Sequence, residues 1–93
     1  MNKTQLLKPY TPGNKNYIIL QALIRKRGVV GYKDLILMSE PNPIKNMLLE
    51  QPGFWQKERI KLQWNVLKLN KKLKEYKARC NQKKRGYYLK KVA

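Results

Sequence analysis

Apolar positions recur at helical spacing in several short runs and one long one. Ile18, Ile19, Ala22 and Leu23 give one face to a helix. Asn14 or Asn16 can cap its start, and it should run to about Arg27. Gly28 follows, where a left-handed C-terminal cap is usual. Val29 and Val30 are β-branched and suit a short extended piece. From Tyr32 to Met38, the apolar Leu35, Ile36 and Met38 mark a second short helix, stopped by Pro41 and Pro43. Pro43 also suits the first position of a third helix, capped by Asn42, with Ile44, Met47 and Leu48 facing inward. Pro52-Gly53 should end that piece.

The long run predicts a helix from about Trp55 to Arg79, with no breaker inside it. Leu62, Val66, Leu69, Leu73 and Tyr76 recur at spacings of four and three and form one buried stripe. Ile60, Trp64 and Leu67 fall nearly on the other side, so the helix offers apolar groups on two faces. After it the pattern changes. Cys80–Gln82, the basic turn Lys83-Lys84-Arg85-Gly86, and Tyr87-Tyr88-Leu89 with Val92 read as a β-hairpin. Gly86 should supply the backbone angles of the turn. Tyr87 and Tyr88 must face opposite sides of a strand, so one belongs to the core.

At 93 residues the chain makes one domain with a modest core. The expected division is a basic N-terminal arm over 1–13 and a folded domain over 14–93. Pro9, Pro12 and Gly13 discourage helix in the arm, and Lys3 and Lys8 charge it. The expected class is mainly α with a small C-terminal β-hairpin. There is no internal repeat, and the lysine-rich stretches are interleaved with apolar residues rather than forming a low-complexity tail.

Charge changes this picture most. The chain carries 22 Lys and Arg against 5 Asp and Glu, a net charge of +17. Residues 57–93 hold 14 of those bases and 2 of the acids, a local charge of +12. Such a chain should bind polyanions, because each cation set near a phosphate releases a condensed counterion. Lys61, Asn65, Lys68 and Lys72 form a polar stripe along the long helix. A helix fits the major groove, where Asn can bond adenine and Lys can bond guanine or phosphate. The plain alternative is a solvated helix face.

Other chemistry is sparse. The chain has no histidine and a single cysteine, Cys80, so an intramolecular disulfide is impossible and a zinc site is not expected. No cofactor is expected. Asp34 and Glu40 lack a histidine or a third polar partner for acid–base work, so the expectation is a protein that is not an enzyme. Glu58 and Glu75 read as ion-pair partners for lysines on the same helix. Trp55 is expected in the core, Trp64 lies off the main stripe, and Cys80 is expected to be buried or half-buried. No run is long enough to span a bilayer and no signal-peptide core is evident, which points to the cytoplasm, on the nucleoid in a bacterium.

The long helix and hairpin resemble the effector domain of OmpR-like response regulators, a winged helix-turn-helix family. The family's recognition helix has apolar positions matched here by Leu62, Trp64, Val66, Leu69 and Leu73. Polar or basic residues fall between them, here Gln63, Asn65, Lys68, Asn70, Lys71 and Lys72. The family's wing carries an Arg-Gly-x-Gly-Tyr signature followed by an apolar residue. Gly86, Tyr87 and Leu89 match its second half, while Lys83 and Lys84 replace its Arg and first Gly. The segment from Ile36 to Lys61 is longer than the family's link and holds an extra short helix.

The resemblance implies three helices with a C-terminal hairpin and a role in transcription control by binding duplex DNA. The long helix would enter the major groove, and the wing would reach the adjacent groove or backbone. Carried over by position, Lys61, Asn65, Lys68, Lys72 and Lys83 would contact DNA. Lys71, Lys84 and Arg85 complete the expected DNA-binding set. Expected partners are double-stranded DNA, a second copy of the chain, and RNA polymerase or another regulator, with no membrane. Two other classes fit the charge: an RNA-binding basic protein, and a module that docks an acidic protein through Ile60, Trp64 and Leu67.

Overall fold

The structure, a computed structural model, describes residues 3–26, 28–39 and 44–92. A 3-10 helix over Lys3–Leu7 leads into α1, Lys15–Arg25. Then come β1, Val30–Gly31, and α2, Tyr32–Ser39. A single turn, α3, spans Lys45–Leu48, and the long α4 spans Pro52–Lys72. The chain closes with β2, Tyr76–Asn81, and β3, Gly86–Lys91. The three strands form one antiparallel sheet in the order β1-β3-β2. The protein is therefore mainly helical with a small antiparallel sheet. Among the described residues, no helix is long and apolar enough to cross a membrane.

Local sequence explains most of these elements. The Asn14 side chain accepts from the Asn16 amide at 2.8 Å and so starts α1. The helix turns Ile19, Leu20, Ala22 and Leu23 inward. It stops at Arg25, two residues short of the expected Arg27, with Lys26 extended and its amide on the Ala22 carbonyl. The extended piece expected at Val29-Val30 is shifted by one residue: β1 takes Val30 with Gly31 and pairs with β3. In α2, Leu35 and Ile36 are buried as expected, but Met38 is 45% exposed and Tyr32 is buried in its place. The Pro41, Pro43, Asn42 and Glu40 readings lie outside the described residues.

The N-terminal stretch departs from a free arm. Its 3-10 helix seats Leu6, and Tyr10 follows; both are 8% exposed and join the core. The extra short helix exists as α3, but Ile44 and Met47 face outward at 58% and 73% exposure. A single turn cannot bury every apolar position, and here Lys45 and the following Leu49 take the inner side. Lys45 reaches Glu58 of α4 at 3.4 Å, with both side chains under a tenth exposed.

α4 begins earlier and ends sooner than the apolar pattern predicts. Pro52 does not terminate α3 so much as open α4, at a position where its missing amide costs nothing. The stripe Leu62, Val66, Leu69 and Leu73 is buried as expected. Tyr76 does not extend it: the helix ends at Lys72 and Tyr76 opens β2. Two side chains fix that boundary. Asn70 bonds the Ala78 backbone twice, accepting from its amide at 2.8 Å and donating to its carbonyl at 3.0 Å. The Lys77 ammonium donates to the Asn70 and Leu73 carbonyls, which the end of the helix leaves unpaired. Pairing with β3 over all six residues of β2 then outweighs the helical preference of 76–79.

Candidate nucleic-acid interface

The basic turn of the hairpin is built around one residue. Residues 82–85 connect β2 to β3, and Arg85 adopts φ 51°, the left-handed region. The Asn81 side chain accepts from the Lys84 amide at 3.1 Å, and the Arg85 amide bonds the Gln82 carbonyl at 3.2 Å. The expectation that Gly86 supplies the unusual angles is thus corrected by one position. Gly86 is instead required by close approach: a Cβ there would lie 2.2 Å from the Val30 carbonyl oxygen. The strand β1 passes directly over it. Lys83, Lys84 and Arg85 are all exposed on the tip.

At about 100° per residue, the exposed surface of α4 divides into two flanks and a crest. Lys57, Lys61, Lys68 and Lys72 form one flank. That flank faces α3 and the N-terminal stretch, since Lys61 lies 3.8 Å from Glu58 and the Lys72 ammonium sits 5.5 Å from the Tyr10 ring centre. Asn65 is half-buried at its inner edge. The crest carries Ile60, Trp64 and Leu67, exposed at 48%, 61% and 49%, with Lys71 beside them. The other flank carries Gln56, Arg59 and Gln63 and faces the hairpin across a cleft of about 550 Å³.

Apart from Lys71 on the crest, the expected DNA-binding residues therefore fall in two groups that the fold does not bring together. Lys83, Lys84 and Arg85 stand on the hairpin, while Lys61, Asn65, Lys68 and Lys72 lie on the flank of α4 turned away from it. The residues of α4 beside the tip are Arg59, Gln56 and Gln63, none of which belongs to the expected DNA-binding set. Period alone puts them next to the buried stripe but cannot say which flank the hairpin covers.

The cleft floor is aromatic. Tyr32 and Tyr87 meet edge to face with ring centres 5.4 Å apart, and the Arg59 guanidinium lies 4.6 Å from the Tyr32 ring centre. Of the alternating pair Tyr87-Tyr88, Tyr87 is the inward one, 8% exposed. Burial pushes its hydroxyl up to about 12, with the neighbouring Cys80 and Tyr32 adding to the effect. Burial also raises Tyr32, helped by its bond with the Cys80 thiol at 2.7 Å. Cys80 itself is exposed, against the expectation of a buried or half-buried thiol, because it lines the open cleft. Trp55 is half-buried at one end of the cleft.

None of the described acids lines the α4–hairpin cleft. Glu58, expected to pair along its own helix, does meet Lys61 there but lies closer to Lys45 of α3. Glu75 sits in the bend between α4 and β2 rather than on the helix. Among the described residues, no three His, Cys, Asp or Glu side chains gather as a metal site. Compared with protein-family models, with curated proteins and with solved structures, the chain matches none.

Proposed function

We propose that this chain is a duplex-DNA-binding protein of the winged helix-turn-helix kind, a non-catalytic regulator of transcription. One observation carries the reading: the sheet order β1-β3-β2 sets a tip of three cations beside the long helix that precedes it. That element order, with α2 and α4 as the helix pair and the hairpin as wing, is the one such domains use to hold a helix in the major groove and a wing on the neighbouring groove. The net charge of +17 supplies affinity through counterion release. Lys83, Lys84 and Arg85 act from the wing. Lys61, Lys68, Lys71 and Lys72 line the outer side of α4, chiefly against phosphate, and the half-buried Asn65 is the weakest base reader of the set.

Fluorescence anisotropy on random duplex DNA and on structured RNA of equal length, across a salt series, tests this. Duplex should be preferred, with a log–log slope of roughly 6–10. Lys84→Ala should weaken binding on every sequence. A preference for structured RNA, or a shallow slope on duplex, would overturn the reading.

The exposed crest Ile60, Trp64 and Leu67 favours a second reading, a face that docks an acidic amphipathic segment. The lysine flank beside it would complement such a partner. Trp64→Ala separates the two: it weakens duplex binding if the crest enters the groove and leaves it unchanged if the crest is reserved for protein.

A further inference from the structure

The cleft between α4 and the hairpin differs from the other hollows of the surface. The hollow between α1 and α2, around Ala22, Val30 and Leu37, is mostly apolar. So is the one under the N-terminal stretch, around Leu6, Tyr10 and Leu73. The α4–hairpin cleft is lined by two guanidiniums, Arg59 and Arg85, and three amides, Gln56, Gln63 and Gln82. No acid lines it. Neither arginine joins an ion pair among the described residues.

We propose that this cleft seats the sugar-phosphate backbone of one DNA strand, with Arg59 and Arg85 gripping phosphates from its two walls. The inference rests on the duplex-binding reading and deepens it. If a helix lies in the major groove and a wing reaches the adjacent minor groove, the strand that separates those grooves must pass between helix and wing. In this fold that space is the cleft.

The chemistry of its walls suits that occupant. Guanidinium presents paired N–H donors that match phosphate oxygens, and the cleft holds no competing carboxylate. Contact with the Tyr32 ring restrains Arg59 before anything binds, which lowers the entropy lost on contact. On the opposite wall, the left-handed backbone of Arg85 is held by the turn bonds of Asn81 and Gln82. Side-chain amides can donate to phosphate and sugar oxygens without regard to base, so Gln56, Gln63 and Gln82 add register rather than sequence.

Cys80 makes the test direct, because it is the only cysteine of the chain and it lines the cleft. Its alkylation by iodoacetamide is followed with and without saturating random duplex, with occupancy read by anisotropy in the same samples. The expected result is a several-fold slower reaction when duplex is bound, restored at high salt. Arg59→Gln and Arg85→Gln should each reduce the salt slope by about 0.9, the value for one phosphate. Arg59→Lys should keep the slope. Lys68→Ala should lower the slope yet leave Cys80 protected. Saturated protein whose Cys80 reacts at the free rate, or an unchanged slope in Arg59→Gln at unchanged melting temperature, overturns the cleft assignment and leaves duplex binding standing. Absence of salt-dependent duplex binding by the parent chain overturns both.

Discussion

Gly86→Ala should be among the most damaging single-methyl changes in this protein. The added Cβ would sit 2.2 Å from the Val30 oxygen, 2.6 Å from Val29 Cγ1 and 2.7 Å from the Val30 carbonyl carbon. Two of those three atoms are backbone, so no side-chain rotation relieves the contact. Restoring van der Waals distance requires β1 and β3 to separate by about an ångström, against a normal strand spacing of about 4.8 Å. That separation breaks the short β1–β3 ladder and the bond from the Tyr32 amide to the Arg85 carbonyl, now 2.9 Å. At about 1 kcal/mol per bond, plus partial exposure of the buried Val30, the loss is roughly 3 kcal/mol. For a domain of this size that lowers the melting temperature by roughly 12–24 °C. Thermal unfolding by circular dichroism measures it, with Gly53→Ala as control. A Cβ on Gly53 meets nothing within 4 Å, and in the first turn of α4 the change should be neutral or stabilise by a few tenths of a kcal/mol. A Gly86→Ala protein that melts within about 2 °C of the parent would refute the close-approach argument. If the proposed duplex binding holds, it should weaken with stability, since β3 leads directly out of the basic hairpin tip.

Three further outcomes follow from the packing. Asn70→Ala removes both bonds to Ala78 and leaves a buried amide unpaired, costing about 1–3 kcal/mol in urea denaturation. Asn70→Asp, which keeps the acceptor for the Ala78 amide, should recover part of that loss. Glu58→Ala removes the buried carboxylate that Lys45 faces and should cost about 1–3 kcal/mol, while the double change Lys45→Met with Glu58→Leu should restore most of it; a double variant no better than the single would count against a buried pair. For Tyr87, the folded value is raised above the ordinary 10.0 to about 12. Its contribution to stability is therefore full below pH 10 and lost as pH rises from there toward 12, so folded protein should show a late tyrosinate transition in absorbance whose amplitude Tyr87→Phe reduces.

Much of the fold was legible in residue order. The helix that Asn14 caps, an extended residue at Val30 and the stripe Leu62-Val66-Leu69-Leu73 each follow from local chemistry and a single period, and strand alternation puts one of Tyr87 and Tyr88 inside. The errors lie where a distant partner decides. Residues 76–79 read as helix because their spacing continues the stripe, and only pairing with β3, Asn70 on Ala78 and Lys77 on the helix end make them strand. Ile44 and Met47 read as core until the buried Lys45–Glu58 pair claims the inner side of their turn.

The candidate site divides in the same way. Composition and clustering along the chain determined that the surface is strongly cationic and that the hairpin tip is part of it, because charge and turn chemistry are local. Which flank of α4 the hairpin stands beside was decided only by the tertiary structure. Helical period defines two flanks equally well, and the choice between Lys61, Lys68 and Lys72 on one and Arg59 and Gln63 on the other depends on the direction in which the sheet folds back. The role of Gly86 was hidden for the same reason. A sequence shows a glycine next to a turn, but the strand that passes over it is 56 residues away, from Val30 to Gly86, and only folding brings the two together.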